Sequence, residues 1–218
     1  MSLIKKEFDS LKLNEFGTEN MSIVLYSLIR FTRPHRILEL GMGHSTMFLA
    51  HALKDIKEQI DYQNSNFVLN SLNNPEYSNI KYKPIIDVID NFAEEEFLNY
   101  SHYKEVLEKN NMSSYVNIIN DNFFNYIQKV KEPYDFMWID GGGQEEYYYI
   151  INVLYPKMSP GSIIVFHNTI SHVYGKLFET NLKLALAKNQ ISDLEIISFK
   201  EPHKHDQNNF TICKKSYL

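Results

Sequence analysis

The 218-residue chain has one cysteine, one tryptophan and eight glycines. Its single cysteine, Cys213, excludes an internal disulfide and any zinc site built from several cysteines. Lysine and arginine together number 22 against 27 acidic residues, and the net charge is −5. The sequence therefore lacks the positive excess of proteins that bind nucleic acid through its phosphates, and we expect no nucleic-acid partner.

Long apolar runs are also missing. No stretch approaches the roughly 20 apolar residues that a membrane-spanning helix needs. The residues after the N-terminal methionine contain no apolar segment of the kind that follows the charges of a signal peptide. These absences predict a cytoplasmic protein with no membrane partner.

What the chain does have is a regular alternation of short apolar runs and helical patterns. Helical spacing is found at residues 3–13, 19–32, 45–53, 93–110, 123–131, 147–157 and 176–188, and strand-like runs at 36–40, 85–90, 116–119, 136–139 and 163–166. Strands that alternate with helices are typical of an α/β protein with a parallel sheet. The order predicts a Rossmann-like, doubly wound fold.

Two further strands close the chain, at residues 194–199 and 210–213. No helix separates them, and so short a link can join only antiparallel neighbours. We therefore expect a mostly parallel seven-stranded sheet with a reversed terminal strand. Residues 1–218 are predicted to form a single domain, with N-terminal helices in 1–33 and a polar, asparagine-rich insertion at 55–78.

Polar residues follow the strands of this predicted sheet. In open α/β sheets, ligands bind outside the carboxyl ends of the strands, where the strand order reverses. Any one such acid could be an ordinary turn residue, but their recurrence at consecutive strand ends favours a binding site. The residues concerned are Glu39, Asp90, Asp121, Asp140 and the pair His167–Asn168.

The first strand runs directly into a glycine turn containing Gly41 and Gly43. Glycine at these positions lets a ligand approach the backbone, because no side chain intervenes. The third glycine of the dinucleotide-binding pattern would fall at Thr46, so that pattern is incomplete, and the turn also lacks the lysine of a phosphate-binding P-loop.

Three segments together resemble a known family. Residues 37–46, 134–141 and 159–168 resemble the first, fourth-strand and fifth-strand motifs of class I S-adenosylmethionine (SAM)-dependent methyltransferases. The resemblance covers about residues 20–213 and is closest to small-molecule O-methyltransferases of the catechol and sugar types. It departs from the family in the insertion and in residues 140–143, where Asp-Gly-Gly-Gly replaces a frequent Asp-Gly-Asp-His.

The resemblance implies cofactor-binding roles. Glu39 and the glycine turn would hold the methionine part of SAM, with His44, Ser45 and Asp140 nearby. An acid at the end of the second strand would bind the ribose: we choose Asp90, with Asp87 and Asp61 as alternatives. Asp121 and Asn122 would face the adenine.

Methyl transfer to a hydroxyl also requires removal of a proton, by a base or by a metal that lowers the hydroxyl pKa. Asp140, His167 and Asn168 match the metal-ligand positions of catechol-type enzymes. They could hold a divalent metal ion, His167 could be a metal-free base, or the pair 167–168 could simply cap its strand. The joint match of the three positions leans towards the metal, with Asp140 and His167 as the catalytic pair.

The resulting hypothesis is a SAM-dependent enzyme that methylates a hydroxyl group of a small-molecule acceptor. Two alternatives stay open: a non-catalytic cofactor-binding or scaffold protein on a decayed methyltransferase fold, and an NAD-dependent oxidoreductase. The identity of the acceptor, the need for a metal and the existence of a homo-oligomer are left open.

Overall fold

Seven strands form one mixed sheet in the computed structural model, which describes residues 8, 11, 18–65, 82–92, 100–205 and 207–217. The strands are β1 Arg36–Leu40, β2 Ile85–Asp90, β3 Val116–Asn120, β4 Phe136–Ile139, β5 Ile163–His167, β6 Leu194–Lys200 and β7 Asn209–Lys215.

The strand order across the sheet is β3-β2-β1-β4-β5-β7-β6. Strands β1 to β5 pair in parallel, whereas β7 is antiparallel to both β5 and β6. The chain winds outwards from β1 in one direction and from β4 in the other, so the strand order reverses between these two. The predicted doubly wound α/β fold, with its reversed terminal strand, is confirmed.

Six α-helices lie in the described part of the chain. They are α1 Glu19–Thr32, α2 His44–Ser65, α3 Tyr100–Lys109, α4 Phe123–Ile127, α5 Gln144–Tyr149 and α6 Val173–Ala187. Helix α5 continues through a π-helical turn at Ile150–Leu154 and a 3₁₀ turn at Tyr155–Lys157, and a further 3₁₀ turn, Ser113–Tyr115, precedes β3.

The two faces of the sheet bury separate hydrophobic clusters. On β1, Ile37 belongs to the cluster that includes residues of α1, α2 and α3, and Leu38 belongs to the cluster with α4 and α6. Successive side chains of a strand point to opposite faces, so both neighbours are buried. This two-sided burial explains the continuous apolar runs of the central strands.

Helix α1 lies where the helical spacing predicts it. Met21, Leu25 and Ile29 recur every four residues and are buried. Thr18 occupies the N-cap position, but its side chain makes no capping hydrogen bond. The helix ends at Arg33, whose left-handed backbone lets its N–H donate to the carbonyl oxygen of Ile29.

Part of the predicted insertion is helical. Helix α2 extends to Ser65, so residues 55–65 continue the helix that follows the glycine turn, while residues 66–78 lie outside the described chain. The polar composition of 55–65 reflects a solvent-facing end of a helix whose first half is buried. Of the predicted helix at 3–13, only Phe8 and Leu11 are described, and both are buried in the core.

No helix in the described part of the chain is both long and apolar enough to cross a membrane.

Candidate cofactor and acceptor site

A cavity of about 610 Å³ opens at the carboxyl ends of the parallel strands. Its wall contains residues that follow or end all five of them: Gly41 after β1, Asp90 of β2, Asp121 after β3, Asp140 after β4 and His167 of β5. The cavity therefore spans the point where the strand order reverses, as expected for a ligand site in this fold. Its volume is in the range of small-molecule sites.

The glycine turn forms one wall of the cavity. Gly41 has a φ of +93°, which only glycine adopts without strain, and a Cβ there would lie 3.4 Å from the carbonyl oxygen of Asp140. At Gly43, a Cβ would meet no atom within 4 Å. The first glycine thus serves the backbone turn, whereas the second leaves open space beside the cavity.

Glu39 lies fully buried behind this turn. Its Oε1 accepts a hydrogen bond from Ser45 Oγ at 2.6 Å, and Trp138 Nε1 donates to the same Ser45 oxygen at 3.1 Å. Within the described residues, Glu39 Oε2 has no hydrogen-bond partner. Neither Glu39 nor Ser45 is part of the cavity wall itself.

Burial raises the pKa of Glu39 to about 8; hydrogen bonding by the hydroxyls of Ser45 and Thr46 opposes this rise, and the nearby charges of Asp140 and Asp90 add to it. A buried carboxyl without a full set of donors is costly when ionised. Glu39 is therefore able to take a cationic or N–H donor from a ligand.

Asp90 joins the end of β2 to the glycine turn. Its carboxylate accepts hydrogen bonds from the backbone N–H of Met42 at 2.8 Å, from the backbone N–H of Phe92 at 2.7 Å and from Tyr100 Oη at 3.2 Å. Asp90 also lines the cavity. It can fix the turn and still present a negative charge to a ligand.

The two alternatives to Asp90 are placed elsewhere. Asp61 lies on the exposed part of α2 and pairs with Lys57 one turn earlier. Asp87 is buried and accepts from Tyr134 Oη at 2.8 Å and Asn117 Nδ2 at 2.9 Å, and neither aspartate lines the cavity. Of the three candidates for the ribose, only Asp90 faces the cavity.

The adenine candidates stand at the start of α4. Asn122 is the N-cap, and its side-chain oxygen accepts from the N–H of Phe124 at 2.9 Å. Hydrogen bonds from Asn125 and from the Asn122 backbone lower the pKa of Asp121. Both Asp121 and Asn122 line the cavity, as does the predicted cofactor neighbour His44.

Asp140 and His167 form a direct pair at the ends of β4 and β5. Asp140 Oδ1 contacts His167 Nδ1, and the other ring nitrogen, Nε2, lies 3.5 Å from the carbonyl oxygen of Gln207. Both ring nitrogens thus face acceptors, an arrangement that favours the doubly protonated imidazolium. Burial lowers the pKa of His167, but the Asp140 carboxylate outweighs it and the net pKa is raised.

The third predicted metal ligand, Asn168, is engaged by other side chains. Its Oδ1 accepts from Ser171 Oγ and from Asn209 Nδ2, the latter at 3.3 Å. His167 Nδ1 contacts Asp140, so all three side chains already have protein partners. Across the described ranges, no group of three or more His, Cys, Asp or Glu residues could hold a metal ion. The structure gives no support to the predicted metal site of Asp140, His167 and Asn168.

Several cavity residues have no counterpart among the sequence-based candidates: Tyr100, Tyr103, Glu146, Tyr147, His172, Tyr174 and Gln207. They come from segments between the strands rather than from strand ends, so no spacing rule marks them. Tyr147 belongs to a run of three tyrosines, and its hydroxyl donates to the backbone oxygen of His167 at 3.3 Å.

Residues 38–169 match the family described as a methyltransferase domain. The chain belongs to this family. The match includes the glycine turn, Asp90, Asp140 and His167, and it confirms the predicted class of SAM-dependent methyltransferases. It gives no support to the oxidoreductase alternative. No curated protein sequence matches the chain.

Solved structures with the same fold include several methyltransferases. The O-methyltransferase TomG from Streptomyces achromogenes, involved in tomaymycin synthesis and in complex with SAM, is 17% identical, with a TM-score of 0.65 over 99% of this chain and 88% of that one. An O-methyltransferase from Bacillus cereus in complex with SAH is 14% identical, with a TM-score of 0.66 over 99% and 91%. The SAH-bound methyltransferase PaMTH1 from Podospora anserina is 13% identical, with a TM-score of 0.63 over 99% and 88%.

Proposed function

We propose that the protein transfers a methyl group from SAM to a hydroxyl group of a small-molecule acceptor, with both reactants in the cavity at the carboxyl ends of the strands. The observation that carries this proposal is the convergence of the glycine turn, Asp90 and the Asp140–His167 pair on one cavity. TomG and the Bacillus enzyme, which share the fold, are both O-methyltransferases.

The residues present fit the cofactor. The buried Glu39 Oε2, which lacks a partner within the described residues, lies behind the cavity wall and can accept from an ammonium group through a bridging water, and Gly43 leaves room beside the turn. Asp90 can accept from ribose hydroxyls, and Asp121 and Asn122, which line the same cavity, can contact the adenine. When bound, SAM supplies an electrophilic methyl group on a positively charged sulfur.

Proton removal falls to the Asp140–His167 pair. The acceptor hydroxyl displaces the carbonyl oxygen of Gln207 from His167 Nε2 and gives its proton to this nitrogen of the neutral ring, since Nδ1 contacts Asp140. The freed oxygen electron pair then forms the new C–O bond as the C–S bond breaks. The Asp140 carboxylate stabilises the imidazolium that results, and it orients the ring for the transfer.

This mechanism uses a histidine base rather than a metal ion. The choice rests on the direct Asp140–His167 contact and on the engagement of Asn168 by Ser171 and Asn209. A metal bound by these residues would compete with these contacts.

A turnover assay with and without a chelator tests the proposal. The protein is screened for release of S-adenosylhomocysteine (SAH) against a panel of hydroxyl compounds, after SAH binding has been measured by calorimetry. We expect SAH binding, methylation of a hydroxyl oxygen and no loss of rate on chelation. Loss of activity that a divalent ion restores would replace the histidine base with a metal, and SAH binding without turnover on any acceptor would favour the scaffold alternative.

A further inference from the structure

The permanently charged side chains in the described part of the cavity wall are all acidic. Five carboxylate side chains line it, whereas the described part of the wall contains no lysine or arginine and only three histidines. The acids are Glu19, Asp90, Asp121, Asp140 and Glu146, and the histidines are His44, His167 and His172. A phosphate or carboxylate group on the acceptor finds no permanent cation on the described walls.

Most of these acids are accounted for by other partners. Under the proposed function, Asp90 and Asp121 face the cofactor, and Asp140 pairs with His167. Glu19 forms an ion pair with Lys204, its oxygen 2.7 Å from Nζ. Glu146 is different: its Oε2 accepts the backbone N–H of Gly143 at 2.7 Å, a neutral donor that leaves the negative charge in place.

Glu146 stands on the acceptor side of the cavity. Its neighbour Tyr147 donates its hydroxyl to the backbone of His167, so the two residues lie next to the proposed base. Burial raises the pKa of Tyr147 strongly, and the charges of Asp140 and Glu146 add to that rise. The negative charge of Glu146 therefore acts on any ligand bound beside Tyr147.

Aromatic rings complete this side of the cavity. Tyr147 packs against Phe166, with ring centroids 5.1 Å apart. The rings of His172 and Tyr174 lie 5.4 Å apart at the N-terminal end of α6. Tyr147, His172 and Tyr174 all line the cavity. Such rings provide flat apolar surfaces on which another aromatic ring can pack.

Building on the O-methyltransferase function proposed above, we propose that the acceptor is an aromatic hydroxyl compound without any anionic group, and that Glu146 makes a protonated amine on the acceptor favourable. Like charges repel more strongly in a partly enclosed cavity than in water. Phosphorylated, carboxylated and acyl-coenzyme A acceptors are expected to bind more weakly for the same reason.

Three phenols that differ only in the charge of one group test this inference: 4-(2-aminoethyl)phenol, 4-(2-hydroxyethyl)phenol and 4-hydroxyphenylacetate. Their affinities are measured by titration calorimetry at low ionic strength on the full chain saturated with SAH. We expect the ammonium compound to bind about tenfold more tightly than the carboxylate, with the alcohol between them, and we expect added salt to narrow the difference.

Two glutamine variants test whether Glu146 causes the preference for the ammonium compound. Glu146→Gln removes the charge and keeps an oxygen that can accept from Gly143, so the difference between the ammonium and carboxylate compounds should shrink several-fold. Glu145→Gln is the matched control, since it removes the same charge one residue earlier, at an exposed position outside the cavity wall. It should leave the difference unchanged.

The outcomes separate the two proposals. Equal or tighter binding of the carboxylate compound, an unchanged difference in Glu146→Gln, or no binding of any of the three phenols to the SAH-loaded protein would overturn the acceptor inference alone. Failure of SAH to bind at the first step would contradict the proposed function, and the acceptor inference would fall with it.

Discussion

Asp87 and Asp90 are both on β2, yet they belong to different parts of the molecule. Asp87 is buried under side-chain donors: Tyr134, Asn117 and the guanidinium of Arg36, which lies 3.3 Å away. Asp90 accepts two backbone N–H groups and the Tyr100 hydroxyl at the edge of the cavity.

The contrast shows that strand position, rather than residue type, divides the two roles. Asp87 pairs across from Leu38 within the sheet, where its partners fix the strands to one another. Asp90 ends its strand, where its carboxylate reaches the glycine turn and the cavity. Substitutions near Asp87 should therefore change stability, and substitutions at the strand ends should change ligand binding or turnover.

The largest effect is expected for the catalytic pair at the strand ends. Asp140→Asn and His167→Ala should each lower turnover by about 10²–10⁴-fold, the usual contribution of a general base. SAH affinity, measured by calorimetry, should change little. Full activity of both variants with an authentic acceptor would remove the pair from the mechanism.

The pH dependence of turnover should follow the raised pKa of His167. Only the neutral imidazole accepts a proton, so the rate rises as pH increases through a value above the usual pKa of the side chain. In Asp140→Asn, the carboxylate that raises this pKa is gone, and the rise should move to lower pH. A pH–rate profile of the two proteins checks this shift, and an unmoved profile would contradict the pairing.

The next largest effect is on folding. Asp87→Ala leaves the buried Tyr134 hydroxyl and the Arg36 guanidinium without their carboxylate, and it should lower the free energy of unfolding by about 3–5 kcal/mol. Urea titration measures this loss. The folded fraction should bind SAH as the parent does. A large loss of SAH affinity in the folded variant would show that Asp87 contributes to ligand binding as well as to stability, and would contradict the proposed difference between Asp87 and Asp90.

Glu39 should make stability depend on pH. Its pKa is about 8 in the folded protein against 4.5 for the free side chain, so between these values the folded state holds a proton that the unfolded state has lost. Stability of the cofactor-free protein therefore falls as pH rises through this window, by at most about 1.4 kcal/mol per pH unit. Urea titrations across the window should give a flatter dependence for Glu39→Gln, and equal slopes would be inconsistent with a buried, titrating Glu39.

A smaller effect is expected at Asp90. Asp90→Ala should weaken SAH binding by about 1–3 kcal/mol, the range for lost hydrogen bonds to a charged acceptor. Asp61→Ala is the control, because Asp61 lies on the exposed part of α2. Calorimetry that found the opposite ranking of the two variants would mean that another acid binds the ribose.

Much of this architecture could be predicted because it depends on local patterns. The buried strands are continuous apolar runs, and the glycine turn follows β1 directly, so both the fold and the strand-end residues are readable from order and spacing. Asp90 could be preferred over Asp61 because residues 85–90 read as a buried strand. The predicted helix at 45–53 stops short of Ser65 because α2 has fully buried residues only up to Ile56, and the polar remainder carries no clear helical pattern.

The rest depends on contacts between distant segments. Nothing near Asn168 in the sequence indicates that its side chain is taken by Asn209, 41 residues away. Likewise, the direct contact between Asp140 and His167 requires β4 and β5 to be neighbours in the sheet. The residue types of Asp140, His167 and Asn168 suit both a metal site and a histidine base, and only the contacts between the side chains distinguish the two.

The central claim, that SAM binds beside the glycine turn, is tested most directly by SAH calorimetry on Gly43→Val. A Cβ at this position meets no atom within 4 Å and Gly43 lines the cavity, so the added side chain should fill ligand space without disturbing the fold. We predict loss of measurable SAH binding with an unchanged thermal unfolding midpoint of the cofactor-free protein. Undiminished SAH affinity in the folded variant would contradict the claim.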